Sequence, residues 1–253
     1  MVTPPVVLTI AGSDSGGGAG IQADLKTFAA LGAYGTSVIT AITAQNTQGV
    51  TAIHPVPAAI VAAQIDAVLA DFDVAAVKVG MIGDPAVTAV IVERVARLPN
   101  LVVDPVLVAT SGSRLGEVGA VAPLLAYPCV LTPNRHEAGA LSQSPVETAE
   151  EMSRAAERLA AGGARAVVVT GSELAIDVLH HDGVTSVLRG EPVDTRNNHG
   201  SGCTFSSAVA VRLALGDPVP AAVRAAKTYV TAALAGGQKW QLGAGPGPLD
   251  HFA

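Results

Sequence analysis

The segment His199-Gly200-Ser201-Gly202-Cys203-Thr204 holds the residues of this chain most suited to chemistry. Apolar residues follow at helical spacing up to Leu213, so the pattern predicts a helix that begins near Cys203. The first turn of a helix has unpaired backbone N–H groups, which attract phosphate and lower the pKa of a thiol. The segment therefore suits the deprotonation of a hydroxyl beside a polyphosphate. A buried, unreactive cysteine behind a flexible turn fits the same residues.

A second glycine-rich segment, residues 12–20, follows the first predicted strand and leads into a helix. Gly18 to Ala23 fit the GxGxxA pattern of dinucleotide sites, but such sites also need an acidic residue about 20 positions further on to bind the ribose. No Asp or Glu occurs between Asp24 and Asp66, and no Gly-Lys followed by Ser or Thr forms a P-loop. An NAD-dependent oxidoreductase is therefore disfavoured, whereas a plain strand-to-helix turn stays an alternative.

The elements that must position these segments alternate between strands and helices. Buried strands are predicted at 6–10, 37–43, 75–79, 101–103, 130–132 and 166–170, and helices at 21–31, 58–69, 85–98, 148–161, 203–215 and 221–234. This alternation predicts an α/β fold in which helices cover both faces of a mostly parallel sheet and ligands bind beyond the carboxyl ends of the strands. Asp182-Gly183, between 176–181 and 184–188, predicts a hairpin at one margin. No linker is evident, so one domain over 1–253 is expected.

Composition limits the class of partner. Charged residues make up 14% and hydrophobic residues 49% of the 253 residues, and the mean hydropathy is +0.44. This apolar content fits strands buried on both faces and a subunit interface, so we expect a homodimer. The net charge of -6 and the lack of a basic cluster argue against a nucleic-acid partner and favour a small molecule.

Cysteine content and hydropathy bear on the compartment. Cys129 and Cys203 are too few for a disulfide framework or a zinc site, so a reducing cytoplasm is the expected setting. No uninterrupted apolar run reaches the roughly 18 residues that a membrane helix needs, so no membrane association is expected.

Several longer segments carry a resemblance to a known family. They are residues 11–27, 43–47, 78–81, 103–106, 132–134 with Glu137, and 198–204. Together they resemble the hydroxymethylpyrimidine (phosphomethylpyrimidine) kinases of thiamine biosynthesis, within the ribokinase-like superfamily, and the match is collinear over nearly the whole chain. The resemblance implies a three-layer sandwich that uses ATP and Mg²⁺ to phosphorylate 4-amino-5-hydroxymethyl-2-methylpyrimidine and then its monophosphate.

The resemblance also implies which residues bind the pyrimidine. The Gln45 amide offers an acceptor and a donor that complement the amine and nitrogen of the ring, so it is the expected recognition group. Asp24 is expected to hold the polar edge of the ring, and Gly12 to allow close approach of the backbone. Met81 and Val106 are expected to form apolar walls, although both could be plain core residues.

For the chemical step, the resemblance makes Cys203 the base toward the hydroxymethyl group. The backbone amides of Gly200, Ser201 and Gly202 are expected to stabilise charge on the transferring phosphoryl group. Phosphoryl transfer depends on positioning and charge neutralisation, so Mg²⁺ is expected to be needed.

Asp104 and Glu137 are similar to the acidic residues that the family places near the metal, acting directly or through water. A structural cap at the end of a strand is the alternative for Asp104.

Expected nucleotide-binding residues follow from the same resemblance. They are Asn134, Thr170, Gly171 and Lys227. Relatives often have Lys-Gly-Gly-His where residues 170–173 read Thr-Gly-Ser-Glu, so this chain lacks a cation that is expected on the nucleotide side. Relatives often also have Lys where Thr110 stands. For Lys227 the alternative is a surface lysine whose stem covers apolar neighbours.

Two other functions stay open on the sequence. A pyridoxal or pyridoxine kinase of the same superfamily can carry the same cysteine-containing loop, although Gln45 and Met81 favour the pyrimidine. A sensor that binds the pyrimidine without efficient catalysis is suggested by the missing lysine at Thr170.

Overall fold

One mixed sheet forms the centre of the molecule in the computed structural model, which describes residues 3–108, 112, 115, 116 and 118–253. Its strands are β1 (Val6–Asp14), β2 (Tyr34–Asn46), β3 (Gly49–Pro55), β4 (Val74–Val79), β5 (Leu101–Val103), β6 (Val130–Leu131), β7 (Ala166–Gly171), β8 (Ile176–His181) and β9 (Val184–Arg189). Within the described residues the strand order is β3-β2-β1-β4-β5-β6-β7-β8-β9. Within this order, the central part β2-β1-β4-β5-β6-β7 is parallel. At the margins, β3 pairs antiparallel with β2, and β8 and β9 extend the sheet antiparallel from β7.

The helices pack on both faces of this sheet. They are α1 (Gly20–Ala30), α2 (Ala58–Asp71), α3 (Pro85–Arg94), α4 (Val118–Val121), α5 (Arg135–Ser142), α6 (Ala149–Ala161), α7 (Ser201–Ala214) and α8 (Val219–Gly237). In the described part of the chain, no helix is long and apolar enough to span a membrane.

Successive side chains of the central strands point to opposite faces of the sheet, as the pleat of a strand requires, and pack into two separate hydrophobic cores. Leu8 lies in a cluster with residues of α2, α3 and α6, whereas Val7 lies in a cluster with residues of α1, α7 and α8. The same division holds for Val103 and Val102 of β5. The predicted α/β fold with three layers is therefore confirmed, as is the predicted hairpin of β8 and β9.

Some elements differ from the sequence prediction. β3 was not predicted, because its residues are mostly exposed and give no buried apolar run. The helix expected over 85–98 ends at Arg94 and continues as a tighter 3-10 turn over Val95–Arg97. α5 was also missed, although Asn134 and Glu137 form a capping box at its start, which is a recognisable signal. Thr110 lies outside the described residues.

Candidate active site

The carboxyl ends of the parallel strands gather the predicted substrate residues at one edge of the sheet. Gly12 lies near the end of β1, and Gln45 lies near the end of β2. Met81 is the second residue after β4, and Asp104 directly follows β5. Gly12 and Met81 touch, because a Cβ at Gly12 would lie only 3.0 Å from the Met81 sulfur. This packing leaves no room for a larger side chain at Gly12, whereas the expected approach of the ring to its backbone stays a prediction.

The start of α7 forms a tight turn against the first glycine-rich loop. Gly200 is the N-cap residue with φ +86°, and Cys203 lies in the first turn of the helix, as predicted. A side chain at Gly200 would run into the Gly18 carbonyl, so both the backbone angle and the close approach require glycine there. The backbone amides at the start of α7 have no partner within the helix, which makes this turn suited to an anion.

The protonation state of Cys203 differs from the sequence expectation. Burial raises the pKa of its thiol to about 12, and the ammonium of Lys78 opposes this, whereas the carboxylates of Asp104 and Asp24 reinforce it. The expectation that the helix N-terminus lowers this pKa is therefore wrong for the protein alone. The physical reason is that loss of solvation and two nearby carboxylates outweigh one ammonium and the helix dipole. The thiol lies close enough to the Asp104 carboxylate for each group to shift the pKa of the other.

Asp24 belongs to a buried polar network and not to the open edge of the site. Its two oxygens accept hydrogen bonds from Thr9 Oγ1 at 2.6 Å, from Lys78 Nζ at 2.9 and 3.0 Å, and from Ser207 Oγ at 2.7 Å. Asp24 and Lys78 are both fully buried. Because these contacts satisfy both carboxylate oxygens, the structure does not support the predicted contact between Asp24 and the ring.

Lys78 is a functional candidate that sequence reasoning did not identify. Its side chain is fully buried and its ammonium also lies 4.0 Å from Asp104 Oδ2. A lysine inside the apolar run 75–79 was the available signal, because lysine is almost never fully buried without a partner.

The two predicted acidic residues, Asp104 and Glu137, lie close enough to affect each other. Burial raises the pKa of Glu137 to about 8, and the Asp104 charge contributes, although hydrogen bonds with Asn134 and Leu107 lower it. Burial also raises the pKa of Asp104, against the attraction of Lys78. Asp104 accepts from Ser206 Oγ at 3.2 Å. Two buried carboxylates that disfavour each other's charge fit a divalent cation, which would neutralise both.

This acidic pair is not a complete protein cage for a metal. Among the described residues, no group of three or more His, Cys, Asp or Glu side chains is arranged to hold a metal ion. A pair of carboxylates fits Mg²⁺, which retains waters and binds substrate phosphates as its other ligands.

Gln45 is held in place by the glycine-rich loop and by its own strand. Ser15 Oγ donates to the Gln45 carbonyl at 2.7 Å and accepts from the Gln45 N–H at 2.8 Å. The Thr43 hydroxyl shares its one proton between the Ser13 carbonyl at 2.9 Å and the amide oxygen of Gln45 at 3.0 Å, and this contact helps to orient the Gln45 side chain. Val106, the other expected wall residue, is half-buried on the segment after β5.

The predicted nucleotide residues meet around Asp177, which sequence reasoning did not identify. The backbones of Asn134 and Thr170 pair in an isolated parallel β-bridge. The Gly171 N–H donates to Asp177 Oδ1 at 3.2 Å. Lys227, which lies in α8, donates from Nζ to Asp177 Oδ2 at 2.6 Å. The Lys227 ammonium is therefore paired at this wall, and the alternative of a free surface lysine is not supported.

Asp14 and His199 form a further buried pair that sequence reasoning missed. His199 Nε2 donates to Asp14 Oδ2 at 2.9 Å, and the side chains are 8% and 3% exposed. Asp14 also accepts from the N–H groups of Gly16, Gly18 and Ala19. Burial raises the pKa of Asp14, but the hydrogen bonds from His199 and from these N–H groups outweigh it, so the net shift is downward.

Comparison with known proteins identifies relatives along almost the whole chain. Residues 14–250 match the family model of phosphomethylpyrimidine kinase. The hydroxymethylpyrimidine/phosphomethylpyrimidine kinase of Rhizobium meliloti is 51% identical, and the match covers 98% of this chain and 97% of that protein.

Solved structures share the fold. The pyridoxal kinase of Staphylococcus aureus in complex with pyridoxal superposes with a TM-score of 0.90 at 34% identity, covering 100% of this chain and 95% of that one. The phosphomethylpyrimidine kinase of Clostridium difficile superposes with a TM-score of 0.79 at 41% identity, covering 91% of this chain and 99% of that one.

Proposed function

Because the chain belongs to the phosphomethylpyrimidine kinase family, whose fold is ribokinase-like, we propose how its site performs the reaction of that family. The protein is an ATP-dependent phosphotransferase of thiamine biosynthesis. It transfers the γ-phosphate of ATP to 4-amino-5-hydroxymethyl-2-methylpyrimidine and then to the resulting monophosphate. The observation that carries the site assignment is the position of Cys203, in the first turn of α7 and near enough to Lys78 and Asp104 for their charges to act on its thiol.

The pyrimidine binds at the ends of β1, β2 and β4. Gln45 pairs its amide with the amine and ring nitrogen, because Ser15 holds its backbone and Thr43 contacts its amide oxygen. Gly12 lets the ring approach the backbone, and Met81 with Val106 forms the apolar walls of the pocket. This arrangement points the hydroxymethyl group at the start of α7.

The transferred phosphoryl group lies at the start of α7. The N–H groups of Gly200, Ser201, Gly202 and Cys203 stabilise its developing negative charge. Asp104 and Glu137 would hold Mg²⁺, directly or through water, and the bound cation would supply positive charge to neutralise the phosphate oxygens. The thiolate form of Cys203 accepts the hydroxyl proton. Lys78 favours that form electrostatically.

The nucleotide lies along the wall formed by Asn134, Thr170, Gly171 and Lys227. Thr170 stands where relatives often have lysine, and Lys227 supplies a cation to this wall from α8. The ion pair with Asp177 fixes the position of that cation. We therefore assign Lys227 to the nucleotide phosphates.

A pyridoxal kinase is the second candidate, because solved pyridoxal kinases superpose on this chain with TM-scores near 0.90. Backbone similarity reports the fold and not the substrate, since a shared fold does not fix the site. Sequence identity favours the pyrimidine, at 51% against 34% for the pyridoxal kinase of Staphylococcus aureus.

Phosphorus NMR of the reaction products tests the proposal. With the pyrimidine, ATP and Mg²⁺, we expect a monophosphate resonance first and a diphosphate resonance later, together with ADP. Tight pyrimidine binding without ATP consumption would instead identify a sensor, and a product that stops at the monophosphate would remove the second step.

We also propose a cytoplasmic homodimer built from one domain over residues 1–253. Ile42 of β2 lies opposite His54, Ile53 of β3 lies opposite Thr43, and the two isoleucines near this sheet margin are 53% and 40% exposed. Analytical ultracentrifugation should give twice the mass of one chain, 25.2 kDa. Replacement of both residues by serine should shift the protein toward the monomer.

A further inference from the structure

The Asp14–His199 pair joins two loops that the reaction assigns to different substrates. Asp14 ends β1 and begins the glycine-rich loop beside the pyrimidine, whereas His199 directly precedes Gly200 at the phosphoryl site. The two residues are 185 positions apart in the chain, yet their side chains meet at 2.9 Å and are almost completely buried.

On the pyrimidine side, Asp14 organises the loop that supports Gln45. Its carboxylate accepts from the Gly16 N–H at 2.7 Å and from the Ala19 N–H at 2.9 Å. The next residue, Ser15, exchanges two hydrogen bonds with the Gln45 backbone. Hydrogen bonds on either side of the Asp14–Ser15 peptide bond therefore connect the backbone of the residue that recognises the ring to the His199 imidazole.

On the phosphoryl side, a third segment of the chain also holds His199. The backbone N–H of His199 donates to the Gly247 carbonyl at 3.0 Å. Any side chain at Gly18 would run into the His199 ring, and any side chain at Gly200 would run into the Gly18 carbonyl. The two loops thus fit against each other at the backbone, and neither can move far without displacing the other.

We propose that the hydrogen bond between Asp14 and His199 couples the two substrate sites. Bound nucleotide then raises the affinity for the pyrimidine, and bound pyrimidine raises the affinity for the nucleotide by the same factor. His199 is in this sense a positioning residue. Because the loops can only shift together, the first ligand that sets the position of one loop also sets the other, so the second ligand binds a site that is already in place. The inference rests on the proposed function, because it assigns each loop to one substrate.

Calorimetry with the complete protein tests this coupling. We measure the pyrimidine Kd alone and with saturating Mg²⁺ and AMP-PCP, a nucleotide that cannot transfer its γ-phosphate. In the wild type we expect the nucleotide to lower this Kd by about fivefold or more. His199→Ala should reduce the ratio of the two Kd values to near one.

Two further variants separate coupling from folding. His199→Gln keeps an N–H donor within reach of Asp14 and should retain most of the coupling. His180→Ala is the matched control, because His180 also bonds a side chain, Thr185 Oγ1 at 2.8 Å, but lies at the far margin in β8. It should leave the ratio unchanged. If His199→Ala does not fold, His199→Leu fills the same space without a donor and is measured in its place.

The outcomes are distinct. A wild-type ratio of one, or an unchanged ratio in the variant without a donor, would overturn the coupling while the enzyme still phosphorylates the pyrimidine. Loss of the ratio in His199→Gln as well would also overturn it, because the donor would then not be the cause. A wild type that neither binds nor phosphorylates the pyrimidine would contradict the proposed function itself.

Discussion

The Lys78 ammonium lies 2.9 Å from the Asp24 carboxylate, and both side chains are fully buried below the start of α7. Thr9 and Ser207 complete the hydrogen bonds of Asp24 from β1 and α7. The same ammonium lies 4.0 Å from Asp104 and favours the thiolate of Cys203. One buried cation therefore links the core of the sheet to the groups that carry the chemistry.

Removal of that cation should be costly for folding. Lys78→Met would leave the Asp24 carboxylate buried without its charged partner, which typically destabilises a protein by about 3–5 kcal/mol. Urea unfolding should show this loss in the free energy of unfolding. The double variant with Asp24→Asn should recover more than half of it, because the remaining group is neutral. A loss of similar size in both variants would show that packing, and not charge pairing, is what Lys78 supplies.

Loss of the Gln45 amide should weaken pyrimidine binding specifically. Gln45→Ala removes the acceptor and donor aimed at the ring while its backbone contacts with Ser15 remain, so the KM for the pyrimidine should rise by about tenfold or more. The KM for ATP should stay within about twofold. Gln48→Ala, at an exposed position in the turn after β2, is the control. An unchanged pyrimidine KM would remove Gln45 from the site.

The two phosphorylation steps should differ in their need for Cys203. The first acceptor is an alcohol that must lose a proton, whereas the second is a phosphate monoester, which is already mostly dianionic at pH 8. Cys203→Ala should lower the rate of the first step by about 100-fold or more and the second by less than about tenfold. Cys129→Ala, at a buried cysteine in the other core, should affect neither. Equal losses in both steps would show that Cys203 positions phosphate instead of accepting a proton.

Glu137 should make stability depend on pH. Burial and the Asp104 charge raise the pKa of Glu137 from 4.5 to about 8. A pKa above the unfolded value means that the folded protein binds the proton more tightly, so this contribution is present below about pH 4.5 and is lost as the pH rises to about 8. Glu137→Gln should therefore lose less stability than the wild type between pH 5 and pH 8 in urea unfolding. Added Mg²⁺ should stabilise the wild type more than the variant. Parallel pH curves for the two proteins would contradict this account.

The alternation of strands and helices was predictable because each buried strand has its own apolar run. β3 was not predicted, because an exposed strand at the sheet margin has no buried apolar run. The buried network was not predictable for a different reason. Asp24 binds Thr9, Lys78 and Ser207, which are 15, 54 and 183 positions away in the chain, so no local pattern relates them.

The same limit explains the wrong expectation for Cys203. Its place in the first turn of a helix follows from the residues after it, and the structure confirms that place. Its pKa depends on burial and on Asp104 and Asp24, which only the tertiary fold brings near it. The sequence thus indicated where the thiol lies but not its protonation state.

A competition assay tests the central claim most directly. Equal concentrations of the hydroxymethylpyrimidine and of pyridoxal are incubated with limiting enzyme, ATP and Mg²⁺, and the initial rates of both phosphorylated products are measured in the same tube. The ratio of these rates equals the ratio of the two kcat/KM values. We expect the pyrimidine monophosphate to form faster. Faster formation of pyridoxal phosphate would contradict the assignment and identify the chain as a pyridoxal kinase.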